Sequence, residues 1–263
     1  MNRFFPCRGR ALRAAALLSL CSFFMALSGP RPAAAQQVPV SLELVLAVDA
    51  SSSVSGEEFN LQMEGLARAF RDPSVGRAIE GTGSQGIAVA LVQWSDNRKQ
   101  IVAVDWRQIR SAAEAQAFAA EIEGAPRYLV GGGTAIGGAL EFSIRQLEIN
   151  GFRGQREVID VSGDGRTNQG PQPAALRDLA VSRGITINGL AILNEDPVID
   201  GYYARNVIGG PGAFVMTAND YAAYGRAILS KLVREIEAVP IAGQPAPGRP
   251  TLAAAGAPEP PGE

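Results

Sequence analysis

Three short segments of this chain carry oxygen donors in a pattern that suits a hard metal ion. The first is Asp49-Ala50-Ser51-Ser52-Ser53. In an extended stretch, residues i, i+2 and i+4 project to the same side, so the Asp49 carboxylate and the Ser51 and Ser53 hydroxyls can converge on one point. The second is Ser162-Gly163-Asp164-Gly165, a carboxylate between glycines that permit a tight turn. The third, Gly131-Gly132-Gly133-Thr134, places a hydroxyl at the end of a glycine loop. Two carboxylates and three hydroxyls form an all-oxygen donor set. Such a set fits Mg2+, or Ca2+ or Mn2+, with water completing the shell.

Ordinary structural roles compete for the same residues. Asp and Ser favour helix caps and turns. Thr134 is placed to cap a helix that starts near Ala135, and it can also be a ligand. Asp164-Gly165 is a turn pair as well as a candidate ligand position. For the first segment a capping role is the weaker account, because Ser55 already supplies a cap and three oxygens at period two exceed what a turn needs. Asp160 sits inside an apolar strand, where a carboxylate is costly unless paired; it either braces the metal loop or meets a nearby arginine. Thr167 and Asn168 follow the second segment and either line its rim or are solvated loop residues. Gly81-x-Gly83 and Gly131–Gly133 lack the following Lys-Ser or Lys-Thr of a phosphate loop, so backbone turning explains them better.

Composition narrows the chemistry. The chain has no histidine, and both cysteines, Cys7 and Cys21, fall in the first 35 residues. Beyond that segment there is neither a thiolate nor an imidazole to hold zinc or act as a general base. The segment itself reads as an export signal. Arg3, Arg8, Arg10 and Arg13 precede the apolar run Ala14–Leu27, which is too short to span a bilayer, and Ala33-Ala34-Ala35 forms a small-residue cleavage site. Leu20 before Cys21 argues against a lipid anchor. Cleavage after Ala35 makes the mature protein periplasmic or secreted. It also removes five arginines from 24 basic residues, leaving 19 against 26 acidic ones, a net charge of −7. An acidic chain without clustered positive charge is a poor match for nucleic acid. Residues 240–263 are rich in Pro, Ala and Gly and read as a disordered tail. One domain over 36–239 is left, with no later stretch able to cross a membrane.

The elements of that domain alternate. Ser41–Val48 is a strand apolar on both faces, as expected for a sheet covered on both sides. A helix follows, with Ser55 and Glu58 in capping-box spacing. Ile87–Trp94 and Gln100–Val104 are joined by the short polar stretch Asp96–Lys99 and read as a hairpin. Helices are expected over Ser111–Ile122, Ala135–Leu147, Ala174–Arg183 and Pro197–Val207. Strands are expected over Glu157–Ser162, Ile185–Leu193 and Ala213–Met216. The final helix, capped by Asn219 or Asp220, carries the apolar stripe Tyr221, Tyr224, Ile228, Leu232 and Ile236. The alternation predicts a three-layer α/β/α sandwich, Rossmann-like, with a mostly parallel central sheet and one antiparallel edge strand. Ligands in such folds bind at the carboxyl ends of the strands, where all three oxygen-bearing segments fall.

Asp49-x-Ser51-x-Ser53 at the end of the first strand, with a distant Thr134 and Asp164, resembles the metal-ion-dependent adhesion site of von Willebrand factor A domains and integrin inserted domains. The resemblance runs from Leu42 to Glu237 and is nearest to a bacterial branch of unassigned function. It implies that Ser51 and Ser53 ligate the metal directly. Asp49, Thr134 and Asp164 would ligate directly or through water, leaving a position for an Asp or Glu of a protein partner. It also implies a binding module in place of an enzyme. The chain departs from the family where Thr-Asp-Gly is usual: Gly163 precedes Asp164 and is expected to shift it. Two alternatives stay open. One is a metal-assisted phosphohydrolase with Asp49 as nucleophile, although position 51 is serine and the only lysines are Lys99 and Lys231. The other is a purely structural metal.

Overall fold

The computed structural model describes residues 37–238; the expected export signal and tail lie outside the described residues. The first strand, β1 (Val38–Asp49), alternates strictly between two hydrophobic clusters. Leu42, Leu44, Leu46 and Val48 enter one, and Val45 and Ala47 enter the other. Both faces are buried, which is why the sequence shows a continuous apolar run instead of a polar alternation.

Helix α1 (Gly56–Arg71) starts from the expected capping box. Ser55 accepts from the Glu58 amide, and Glu58 accepts from the Ser55 amide. A second helix, α2 (Pro73–Gly81), was not distinguished in the sequence. Asp72 ends α1 and caps α2 through the Ser74 amide, and Pro73 occupies a first-turn position where its missing N–H costs nothing. The antiparallel pair β2 (Ile87–Trp94) and β3 (Gln100–Ile109) is the expected hairpin, with register shifts on either side of Val104 and β3 running five residues beyond it.

The remaining elements are α3 (Ala112–Gly124), α4 (Ile136–Ile149), β4 (Phe152–Gly163), α5 (Pro173–Ser182), β5 (Thr186–Ile192), α6 (Ile199–Asn206), β6 (Val215–Ala218) and α7 (Tyr221–Glu237). The sheet order is β3-β2-β1-β4-β5-β6, parallel throughout except at β3. The fold is the expected α/β sandwich with one antiparallel edge strand. Helices α1, α3 and α7 contribute to the first cluster, and α4 and α6 to the second. Where α1 meets α7, Gly65 faces Gly225; a Cβ on Gly65 would lie 2.9 Å from the Tyr224 ring and 3.0 Å from the Gly225 Cα. Only the missing side chain lets the two helices come this close.

The chain leaves β1 toward β2 on one side and returns to β4 on the other. The carboxyl ends of β1 and β4 therefore flank a topological switch point, where α/β sheets open a crevice. Asp49 ends β1, and Asp164 immediately follows β4.

Candidate metal centre

Asp49 is fully buried at the end of its strand. Its Oδ1 accepts from the Ser51 amide at 2.7 Å, which turns the chain so that the hydroxyls follow. Ser51 Oγ lies 3.1 Å from Ser53 Oγ, and Ser53 donates to Asp164 Oδ1 at 3.1 Å. The other oxygen of Asp164 accepts from the Tyr221 hydroxyl at 3.0 Å. Four of the five predicted donors thus form one linked group. Thr134, from the third segment, lies beside Gly165, the residue after Asp164: its Oγ1 and methyl group are 3.5 and 3.6 Å from where a Cβ on Gly165 would stand.

Thr134 is not the helix cap. The N-cap of α4 is Ala135, and the Ile136 amide is satisfied instead by Thr167 Oγ1 at 3.0 Å. Asn168 fixes Thr134 from both sides, accepting from its amide and donating to its carbonyl, both at 2.9 Å. The Thr134 hydroxyl is thereby released from capping duty.

No bulge precedes Asp164 in its strand. Strands β4 and β5 keep unbroken register from Asp160↔Asn188 through Gly163↔Ala191. Gly163 has a spatial role. A Cβ there would stand 2.8 Å from the Tyr203 hydroxyl and 2.9 Å from Asp49 Oδ2. The glycine leaves room for the Asp49 carboxylate, and any side chain would fill it.

Electrostatics set the state of the two acids. Burial pushes Asp49 up to about 7; the Asp164 charge adds to this, while the Ser51 hydrogen bonds and Arg127 oppose it. Burial also raises Asp164, against the hydrogen bonds from Tyr221 and Ser53. Asp49 Oδ2 and the Tyr203 hydroxyl are buried without a hydrogen-bond partner. A buried carboxylate oxygen left in this way is costly, and a bound cation would offset that cost. The donor chemistry agrees. Among the described residues no three His, Cys, Asp or Glu side chains are grouped to hold a metal, so the hydroxyls must complete any ligand set built on Asp49 and Asp164.

Arg127 was not found by sequence reasoning. Its Nη2 lies within hydrogen-bond distance of the carbonyls of Ala50, Ser51 and Val54 (2.9, 3.0 and 2.9 Å), and its Nε donates to Leu129. It also stacks over Phe59. One guanidinium therefore ties the Asp49–Val54 loop to the loop that leads to Thr134. Arg127→Leu is expected to speed amide exchange over residues 51–54 at least about 10-fold, as unsatisfied carbonyls make local opening easier. Hydrogen exchange read by mass spectrometry checks this.

The buried Asp160 pairs with Lys231, not with an arginine: Lys231 Nζ is 2.8 Å from Asp160 Oδ2 and 2.5 Å from Glu235 Oε1. It is a brace between β4 and α7, separate from the oxygen cluster.

Residues 39–240 match the family described as "Protein of unknown function (DUF1194)". No curated protein matches the chain. Among solved structures, proximal thread matrix protein 1 from the mussel byssus is similar at a TM-score of 0.53 and 19% identity, over 76% of this chain and 47% of that one. A structure of the same mussel protein with a zinc-occupied MIDAS motif gives 0.51 and 17%, over 76% and 48%. The manganese-loaded TRAP protein of Plasmodium vivax gives 0.51 and 15%, over 75% and 74%. The chain spans about half the length of the mussel protein. At these identities the likeness carries the fold.

Proposed function

This chain belongs to the DUF1194 family, and from that premise and its von Willebrand factor A-like fold we propose that it is an exported binding module holding one divalent cation through Asp49, Ser51, Ser53, Thr134 and Asp164. The observation that carries the reading is the buried, unpartnered Asp49 Oδ2 beside a linked set of hydroxyl and carboxylate oxygens. Mg2+ is the first choice for hard oxygen donors, with Mn2+ and Ca2+ next. A cation held there would supply Lewis acidity to bind an Asp or Glu carboxylate of a partner protein. The chain's own residues do the rest: Arg127 and Asn168 fix the two loops, and Tyr221 orients Asp164. Zinc and manganese in the related structures lend support to a divalent ion in general.

The phosphohydrolase alternative lacks a lysine to balance Asp49. Lys99 pairs with Asp96 at 3.2 Å, and Lys231 is spent on Asp160 and Glu235. Export rests on residues 1–35, with the mature protein starting near Gln36; N-terminal sequencing of the protein from an envelope fraction tests it. No helix among the described residues is long and apolar enough to cross a membrane.

Capture from an envelope extract tests the function, with Mg2+ or EDTA and with wild type or Ser51→Ala/Ser53→Ala as bait. A partner lost under both perturbations is the expected result. Partners that survive both would refute capture through the metal. A large drop in melting temperature on chelation, with capture intact, would instead make the metal structural.

The raised Asp49 pKa has a consequence for stability. Its folded value of about 7 exceeds the ordinary 3.8, so between those values the native state holds a proton that the unfolded chain has lost. Stability therefore falls as pH rises through this window. In EDTA the melting temperature is expected to drop between pH 5 and pH 8. The gain on adding Mg2+ is expected to be larger at pH 8, where the ligand is already ionised. Scanning fluorimetry at the two pH values, with and without metal, reads both effects.

A further inference from the structure

Beside the candidate centre, the loop between α3 and α4 presents two large apolar side chains to solvent. Val130 is 78% exposed, the most of any large apolar residue among those described, and Tyr128 is 50% exposed. Single exposed apolar residues are common. What distinguishes this pair is that the backbone beneath it is fixed. The fully buried Gln93 donates to the Pro126 carbonyl at 2.9 Å and accepts from the Tyr128 amide at 2.8 Å. Arg127, between them, grips Leu129 and the Asp49–Val54 loop. The display of Tyr128 and Val130 is thus held by hydrogen bonds on both sides.

The loop is also continuous with the oxygen cluster. Ser52 donates its amide to Gly132 at 3.0 Å, and Ser95 Oγ donates to Gly131 at 2.6 Å. Charge is distributed unevenly around this end of the sheet. The β2–β3 turn, whose Asp96 lies against Gly132, carries exposed Arg98. The opposite flank carries Glu58 and exposed Glu195, and the Glu195 charge bears on Asp164; the arginine there, Arg166, is paired with Asp196 at 2.7 Å. An acidic segment approaching the centre is favoured over the Arg98 flank and repelled on the other. Tyr128 and Val130 belong to that same flank, because their loop is bonded to Gln93 and Ser95 at the end of β2.

We infer that the Tyr128–Val130 loop is the specificity surface of the centre, and that it selects an extended protein segment in which the captured Asp or Glu is flanked by large apolar residues. This rests on the metal-dependent capture proposed above. Burial of one such side chain against the loop is worth about 10-fold in affinity.

Fluorescence polarisation with labelled hexapeptides tests the inference, using a central glutamate flanked by leucines or by serines, in Mg2+. Wild type is expected to prefer the leucine peptide by about 10-fold. Tyr128→Ser/Val130→Ser is expected to lose that preference while titrating Mg2+ with unchanged affinity. An equal affinity for both peptides, a preference that survives the double substitution, or failure of a Mg2+-loaded wild type to bind either peptide would overturn it. A wild type that takes up no Mg2+ would sink the underlying metal reading and this inference with it.

Discussion

Lys231→Met is expected to lower the melting temperature by roughly 6–20 °C. The Lys231 ammonium is fully buried between Asp160 and Glu235, and Asn188 donates to Glu235 at 2.7 Å to complete the group. Removing one partner of a buried ionic group leaves the others uncompensated, at a cost of about 3–5 kcal/mol. For a domain of this size each kcal/mol moves the melting temperature by about 2–4 °C. Methionine keeps the length and much of the volume of the lysine stem, so the loss isolates the charge. The cluster holds two carboxyl groups against one ammonium, and burial together with the Glu235 charge already pushes Asp160 upward. Adding Asp160→Asn and Glu235→Gln to Lys231→Met should therefore recover most of the loss. Thermal melts of the single and triple variants in EDTA check both statements. A single variant within 2 °C of wild type would show that α7 does not depend on this brace.

The second large effect runs in opposite directions for binding and for stability. Asp49→Asn is expected to weaken divalent-metal affinity by at least about 100-fold, because it removes a charged ligand where even outer-shell changes cost about 10–100-fold. In EDTA at pH 8 the same variant is expected to melt several degrees higher than wild type. The shift from 3.8 to about 7 places the cost of ionised Asp49 on the order of 4 kcal/mol. An amide at that position avoids the charge while its oxygen still accepts from the Ser51 amide. At pH 5, where Asp49 is mostly protonated, the two proteins should melt within about 2 °C of one another. In the proposed site Asp49 would destabilise its own fold until its ligand arrives, a common trade at functional sites. If Asp49→Asn lowered stability at pH 8 in EDTA, the buried carboxylate would be structural.

The two stability effects differ in what sequence reading reveals. Asp49, Ser51 and Ser53 are legible because they lie within five residues and follow directly from an apolar strand. The alternating sandwich is legible for the same reason, since each strand and helix announces itself through local periodicity. Gly163 is visible but its spatial role is not: only the fold shows that it makes room for Asp49. Thr167 takes the capping bond expected of Thr134, which sequence order hides because the helix amide is satisfied from 31 residues away. Arg127 is invisible, since it recognises carbonyl groups at positions 50, 51 and 54, and backbone carbonyls have no sequence signature. Tyr221 reads as one more apolar residue of the last helix, yet its hydroxyl is what holds Asp164. Lys231 and Glu235 did leave a signal. They sit four apart beside Ile228, Leu232 and Ile236 on the buried side of α7, where two charged residues need partners.

The central claim is that five residues from three segments form one divalent-cation site. Isothermal titration of Mg2+ and Mn2+ into EDTA-treated, dialysed protein tests it most directly, with Ser51→Ala/Ser53→Ala and Asp49→Asn titrated alongside. One ion bound per wild-type chain, with binding lost in both variants while their thermal melts remain cooperative, is the expected result. Wild type that takes up no ion, or variants that bind as tightly as wild type, would contradict it.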